Sequence, residues 1–388
     1  MRSLIKTSLI AALVAGSLGT STLAQAASGD YLWSFKTQGQ IWSSIKVNQQ
    51  IAFFGSDDGY FYAMDTERTK LKWKFKTDGI VRSTPAFHHH KVYITSDDGF
   101  LYAINRWSGR LLWKQDLHDG DATRNLPANQ APWDFDYTKS SPVTNGNLVY
   151  VGSADQHFYA FNARTGELVW KFKTGGSIRS TADVEGNMVY ISSWDGKTYG
   201  LNKHTGELIW SHTSGAPIVS DPLVIGDKVI IGSRDAHLYA LDAATGAVSW
   251  DYMFQDWSWI ESSAIEGEND DVFYIASSDS KRLIKFDADS GQEIWSFDTK
   301  GWSWGTPKLA DGVVYIGATG ADEYWTPVNR GFYAVDAQTG EQLWQYQPDA
   351  SKQPYKDIVH GGVYGTVEVK HGKVFVPDLD GYMHVFEQ

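Results

Sequence analysis

The sequence contains no cysteine. That excludes disulfides, thiolate metal sites and a cysteine nucleophile, and no lipid anchor on a signal-cleavage cysteine is expected. Long apolar runs are also missing: after residue 26 nothing approaches the roughly 18 residues a membrane-spanning helix needs. Positive charge is in deficit, with 34 Lys and Arg against 46 Asp and Glu and a formal net charge of −12. A chain of that sign should not bind nucleic acid or anionic lipid non-specifically. Walker A, G-x-S-x-G, H-E-x-x-H and G-x-G-x-x-G patterns are absent as well.

The first residues read as a secretory signal peptide. Arg2 and Lys6 supply a basic region, residues 8–20 an apolar one, and Ala24-Gln25-Ala26 a cleavage site. The chain is therefore expected to divide into a signal peptide, 1–26, and one domain, 27–388. The expected product is soluble, periplasmic or secreted, with no membrane insertion.

A phrase near "WKFKTDGIVRSTP" at Trp73 returns as "WKFKTGGSIRSTA" at Trp170. Aligning on its Trp finds eight units, marked by Trp33, Trp73, Trp113, Trp170, Trp210, Trp250, Trp295 and Trp344. The period is about 40 residues, with an insertion in the third unit. Each unit holds four short runs rich in Val, Ile, Tyr and Phe, bounded by Gly, Asp and Asn turns. Strands A to D in eight antiparallel units predict an all-β, eight-bladed propeller. The chain opens on a D-type strand, "YLWSFK", and its last run is C-type, so the N-terminal strand is expected to complete the last blade. The eight marker Trp are expected to pack between blades, each N–H bonded to a neighbouring backbone.

The C-to-D phrase reads "AFNARTGELVW", "GLNKHTGELIW", "ALDAATGAVSW" and "AVDAQTGEQLW". This resembles the repeat of the PQQ-like, or quinoprotein-type, propellers, and the resemblance spans the chain beyond residue 26. The resemblance implies one of two functions. Quinoprotein dehydrogenases hold pyrroloquinoline quinone (PQQ) and Ca²⁺ in the central funnel, whereas BamB-like members carry no cofactor and act as scaffolds. The sequence departs from both patterns: it lacks the vicinal Cys pair of the first and the lipobox Cys of the second.

Strand direction alternates, so D–A and B–C links share one face, and the long loops fall there (118–137, 254–261, 317–331, 347–362). Eight further Trp map to this face or to the start of strand A: Trp42, Trp133, Trp194, Trp257, Trp259, Trp302, Trp304 and Trp325. Strand A should line the channel. Its leading residues are Trp42, Arg82, Lys139, Arg179, Val219, Glu261, Trp304 and Tyr364, a basic arc facing an aromatic one. Such a mouth suits an anionic planar ligand or an acidic, aromatic-bearing peptide. The plainer alternative pairs Arg82, Lys139 and Arg179 with Asp121, Asp134, Asp136 or Asp221.

Two functional readings follow. In the first, a non-enzymatic exported scaffold of the cell envelope binds a protein or peptide. Trp257, Trp259, Trp302, Trp304, Trp325 and Tyr364 contact the partner, and no cofactor or metal is needed. In the alternative, a PQQ- and Ca²⁺-dependent dehydrogenase pairs quinone carboxylates with Arg82, Lys139 and Arg179. The quinone ring stacks on Trp42 or Trp304, and Glu261 or Asp221 serves Ca²⁺. Carbohydrate binding also suits exposed Trp. The run His88-His89-His90 sits in one A–B turn and cannot close a metal shell alone. The "DDG" runs at 57–59 and 97–99 read as hairpin turns.

Overall fold

Four short strands cannot bury both their faces alone, so each unit needs its neighbours. The computed structural model describes residues 28–120, 140–321, 328–349 and 360–388; among them every regular element is a strand. No helix in this set is long and apolar enough to cross a membrane. The strands form eight antiparallel sheets around a central channel. Blades 1 to 7 occupy 46–76, 86–116, 143–173, 183–213, 223–253, 265–298 and 308–346. Blade 8 is built from 368–387 and completed by Tyr31–Lys36, which pairs antiparallel with Tyr382–Glu387. The expected eight-bladed ring and its closure by the N-terminal strand are what the chain forms. Blade 7 is the irregular one: its second strand, Val313–Ala321, is longer than its counterparts, and its far end pairs with His360–Gly362.

The repeat phrase is explained by one contact between blades. In blade 3 the Asn162 side-chain oxygen accepts the N–H groups of Arg164 and Thr165, both at 3.0 Å. Gly166 follows at φ 82°, a conformation that glycine adopts without steric cost. A Cβ on Gly166 would stand 2.8 Å from the indole of Trp113, on strand D of the preceding blade. Gly206 meets Trp170 and Gly246 meets Trp210 in the same way. The T-G and the W of the motif are thus two sides of one interface. Five marker indoles donate to a backbone carbonyl of the next blade: Trp73 to Arg106, Trp170 to Lys203, Trp210 to Ala243, Trp250 to Ala288 and Trp295 to Ala337. Trp113 and Trp344 depart from the expectation: each N–H is buried without a hydrogen bond, and the carbonyl matching Trp113, that of Ala163, accepts the Tyr93 hydroxyl at 2.6 Å.

Every D strand also carries a bulge just before its Trp. In blade 3, Ala160 faces Trp170 while Phe161 faces Leu168, so Val169 is left over. A bulge on an outer strand twists the edge away from pairing with another chain. The apolar core is correspondingly spread between blades. Tyr150, Phe158 and Trp170 of blade 3, for example, pack on Val189, Ile191 and Leu201 of blade 4.

The B–C turns and D–A links meet on one face. Asp58 Oδ2 accepts the Gln38 N–H at 3.1 Å and the Tyr62 hydroxyl at 2.5 Å. Asp195 does the same for Gly175 and Tyr199. The second Asp of each "DDG" is therefore a turn clamp.

Candidate functional site

Alternate residues of each inner strand, and of the four-residue segment that leads into it, line the channel in layers; the regular strand begins later than the sequence suggests, after the mouth residues. The cavity measures about 610 Å³. Its mouth layer includes Trp42, Arg82, Glu261, Trp304 and Tyr364. Two residues further along, all eight blades contribute: Ser44, Thr84, Ser141, Thr181, Asp221, Ser263, Thr306 and Thr366. This is a ring of seven hydroxyls and one carboxylate. Neighbouring blades are tied across it. The N–H of Thr84 donates to Ser141 Oγ, that of Thr181 to Asp221 Oδ1, that of Asp221 to Ser263 Oγ and that of Thr366 to Ser44 Oγ, at 2.9, 2.6, 2.9 and 3.1 Å. Burial pushes the Asp221 carboxyl up to about 6, against these hydrogen bonds, which favour its charged form.

The mouth holds two ion pairs of one design. Arg82 leads the inner strand of blade 2 and grips Asp57 of the blade 1 B–C turn: Nε to Oδ1 is 2.8 Å and Nη2 to Oδ2 is 2.6 Å. Glu261 leads blade 6 and accepts from Arg234 of the blade 5 B–C turn, Nε to Oε1 at 2.7 Å. Arg82 lies over the Trp42 ring, 5.0 Å from its centroid. Arg234 lies between two rings, 5.0 Å from Trp194 and 4.8 Å from Trp259. Burial raises the Glu261 carboxyl's pKa, and Arg234 opposes that rise.

The sequence-predicted residues are not all brought together. Trp42, Trp302 and Trp304 join one buried cluster with Ala321, Val328 and Leu379, against which Tyr364 packs. Trp302 and Trp304 stack at 5.2 Å and are 6% and 8% exposed. They pack the extended end of Val313–Ala321 onto the blade: Trp302 exchanges both backbone hydrogen bonds with Thr319. Trp257 is the reverse case, 70% exposed at the end of a turn with φ 58°. Trp259 is half-buried against Arg234, and Arg179 is buried. Lys139, Trp133, Trp325, Asp121, Asp134 and Asp136 lie outside the described residues. Arg82 pairs with Asp57, which was not among the candidate partners, while Asp221 belongs to the hydroxyl ring. The expected basic arc is thus neutralised at Arg82. Asp57 and Arg234 were missed because each directly follows the Ser of a B–C turn, a position read only as turn. Among the described residues no group of three metal-ligating side chains gathers.

The family model described as outer membrane protein assembly factor BamB matches residues 19–138, 108–256 and 255–385. The chain belongs to this PQQ-like propeller family. Its fold matches that of BamB from Moraxella catarrhalis with a TM-score of 0.69 at 14% identity, covering 92% of this chain and 99% of that one. A europium-containing methanol dehydrogenase matches equally, TM-score 0.69 at 14% identity, over 92% of this chain and 93% of that one. At such identities the likeness is one of fold. Among curated proteins, a quinoprotein ethanol dehydrogenase of Pseudomonas putida is 58% identical over 38 residues, 10% of this chain and 6% of its own. A 1-butanol dehydrogenase (cytochrome c) of Thauera butanivorans is 37% identical over 76 residues, 20% of this chain and 10% of its own. The matched stretches thus span a tenth or less of those dehydrogenases, about one or two propeller units.

PQQ and Ca²⁺ are what the dehydrogenase branch of the family implies, and four of the residues named for them, Arg82, Trp42, Trp304 and Glu261, do not fit; Lys139 lies outside the described residues. The Arg82 fork is spent on Asp57. The Trp42 ring is 2% exposed, with Arg82 over it and Tyr364 edge-on at 5.0 Å. Trp304 is covered on one side by Trp302, and Glu261 is held by Arg234. A planar quinone would find these ring faces and this guanidinium already occupied by protein.

Proposed function

We propose that this propeller is an exported scaffold that binds a protein or peptide partner in the cell envelope through its loop-rich face. The observation that carries the reading is Trp257. An indole 70% exposed exposes apolar area that the fold gains nothing by showing. Its turn is braced, with the Trp257 N–H on the Phe254 carbonyl at 3.1 Å and the Ser258 N–H on Asp256 at 3.2 Å. The backbone that carries the ring is therefore ordered in advance, which lowers the ordering cost of binding. Trp and Arg are the residue types that anchor interfaces, and Trp194, Arg234 and Trp259 stand in one stack on the same face. Membership of a family described by an outer-membrane assembly factor supports a partner of that compartment.

A photo-crosslinking residue at position 257 should capture one partner from envelope extract, and the same residue at the outer-rim position 209 should not. With that partner purified, Trp257→Ala should weaken binding at least tenfold. Equal affinity in the variant, or equal capture from both positions, would remove this reading.

A further inference from the structure

Below the hydroxyl ring, the next channel-facing position of the inner strand is apolar in four blades: Ala86, Val143, Leu223 and Ile265. Blade 4 carries Asp183 there, so the position is charged in the other four blades. Blades 7, 8 and 1, consecutive around the ring, carry Lys308, Glu368 and Lys46. Glu368 answers one cation: Lys308 Nζ lies 3.9 Å from its Oε2. Lys46 makes no side-chain hydrogen bond or ion pair among the described residues, and it lines the cavity. Burial lowers the Lys46 pKa; Glu368 opposes this and Lys308 adds to it. A half-buried ammonium without a partner is costly, and within this sector one glutamate faces two lysines. The charged groups of this sector are thus Lys308 with Glu368, and Lys46 without a side-chain hydrogen bond or ion pair among the described residues.

The surroundings favour an anion over a cation. Ser44, Thr306 and Thr366 supply hydroxyls just above the two lysines. The carboxylates elsewhere around the channel are already served: Asp183 accepts the N–H groups of Val184 and Val224, both at 2.8 Å, and Asp221 accepts that of Thr181 at 2.6 Å. Phe87, Pro142, Val143 and Ile265 give the same cavity an apolar wall. At about 610 Å³ the space exceeds what a bare ion fills.

We propose that the channel binds a small organic anion, its carboxylate or phosphate head held between Lys46 and Lys308 and its carbon body against that apolar wall. The site is separate from the Trp257 surface, so it stands or falls independently of the scaffold reading. Phenyl phosphate and benzoate, titrated by calorimetry into the full chain at low salt, distinguish the two heads. At least one should bind with a stoichiometry of one, tenfold or more tighter than inorganic phosphate or acetate. Lys46→Gln should weaken it at least tenfold, and Lys70→Gln, on the outer rim, should not. In the unmodified protein, the same ligand should lower acetylation of Lys46 at least fivefold and leave Lys70 unchanged. No binding of either ligand, full affinity in Lys46→Gln, or unprotected Lys46 would overturn the proposal.

Discussion

The two ion pairs of the mouth, Asp57 with Arg82 and Arg234 with Glu261, stand in equivalent positions with their signs exchanged. In each, a B–C turn residue meets the leading inner-strand residue of the following blade. In each, the guanidinium also lies on indole faces. The repeat therefore fixes where a bridge between blades sits and leaves open which side carries the cation. The environments differ more than the geometry does. The first pair borders the packed Trp42 cluster, whereas the second leads, through Trp259, to a turn that ends in an exposed Trp257. One half of the mouth is closed by packing, and the other half presents a ring outward.

The comparison can be broken most sharply by removing one guanidinium. Arg82→Ala and Arg234→Ala should each cost about 3–5 kcal/mol in urea denaturation, because each strands a buried carboxylate. Losses that differ by more than about 2 kcal/mol would show that the two bridges are not equivalent. Exchanging the signs of the first pair, Asp57→Arg with Arg82→Glu, should recover half or more of the single-variant loss, measured as a double-mutant cycle.

Asp221 sharpens the comparison, since among the described residues no cation forms an ion pair with it. Its folded pKa, about 6, lies above the ordinary carboxylate value, so the fold prefers its protonated form. Its contribution is therefore least favourable above pH 6 and improves as pH falls from about 6 towards 4. Asp221→Asn should raise stability at pH 7 by about 1–2 kcal/mol and flatten that part of the profile; an unchanged profile would assign the slope to other groups. The smallest stability effect is expected at the exposed end: Trp257→Ala should stay within about 0.5 kcal/mol of the parent. Trp42→Ala, at 2% exposure, should cost about 3–5 kcal/mol. A large loss at Trp257 would mean that its ring packs the loop.

The ring was legible because its turn chemistry is local and repeated. Asn162 with Gly166, and Asp58 with Tyr62, act within a few residues of each other. The mouth layer followed from counting along strand A. The partners within that layer were not legible, because the register between blades is set by packing. Arg82 was matched with aspartates of a long loop or with Asp221, and it pairs with Asp57 in the turn beside it. Depth was hidden for the same reason. Trp257, Trp302 and Trp304 look alike in sequence, yet the extended end of Val313–Ala321 covers the last two and nothing described covers the first. Lys46 escaped notice because a single lysine in a short strand reads as an ordinary solvent-facing residue.

The pairing of Tyr31–Lys36 with Tyr382–Glu387 has a consequence in time. A polypeptide made from its amino end carries this strand unmatched until residues 382–387 have been synthesised. Seven blades can form beforehand, but the circle can seal only when that late segment arrives, and joining such distant segments is the slow, entropically costly kind of contact. Until then the first strand offers an open edge to any neighbouring chain.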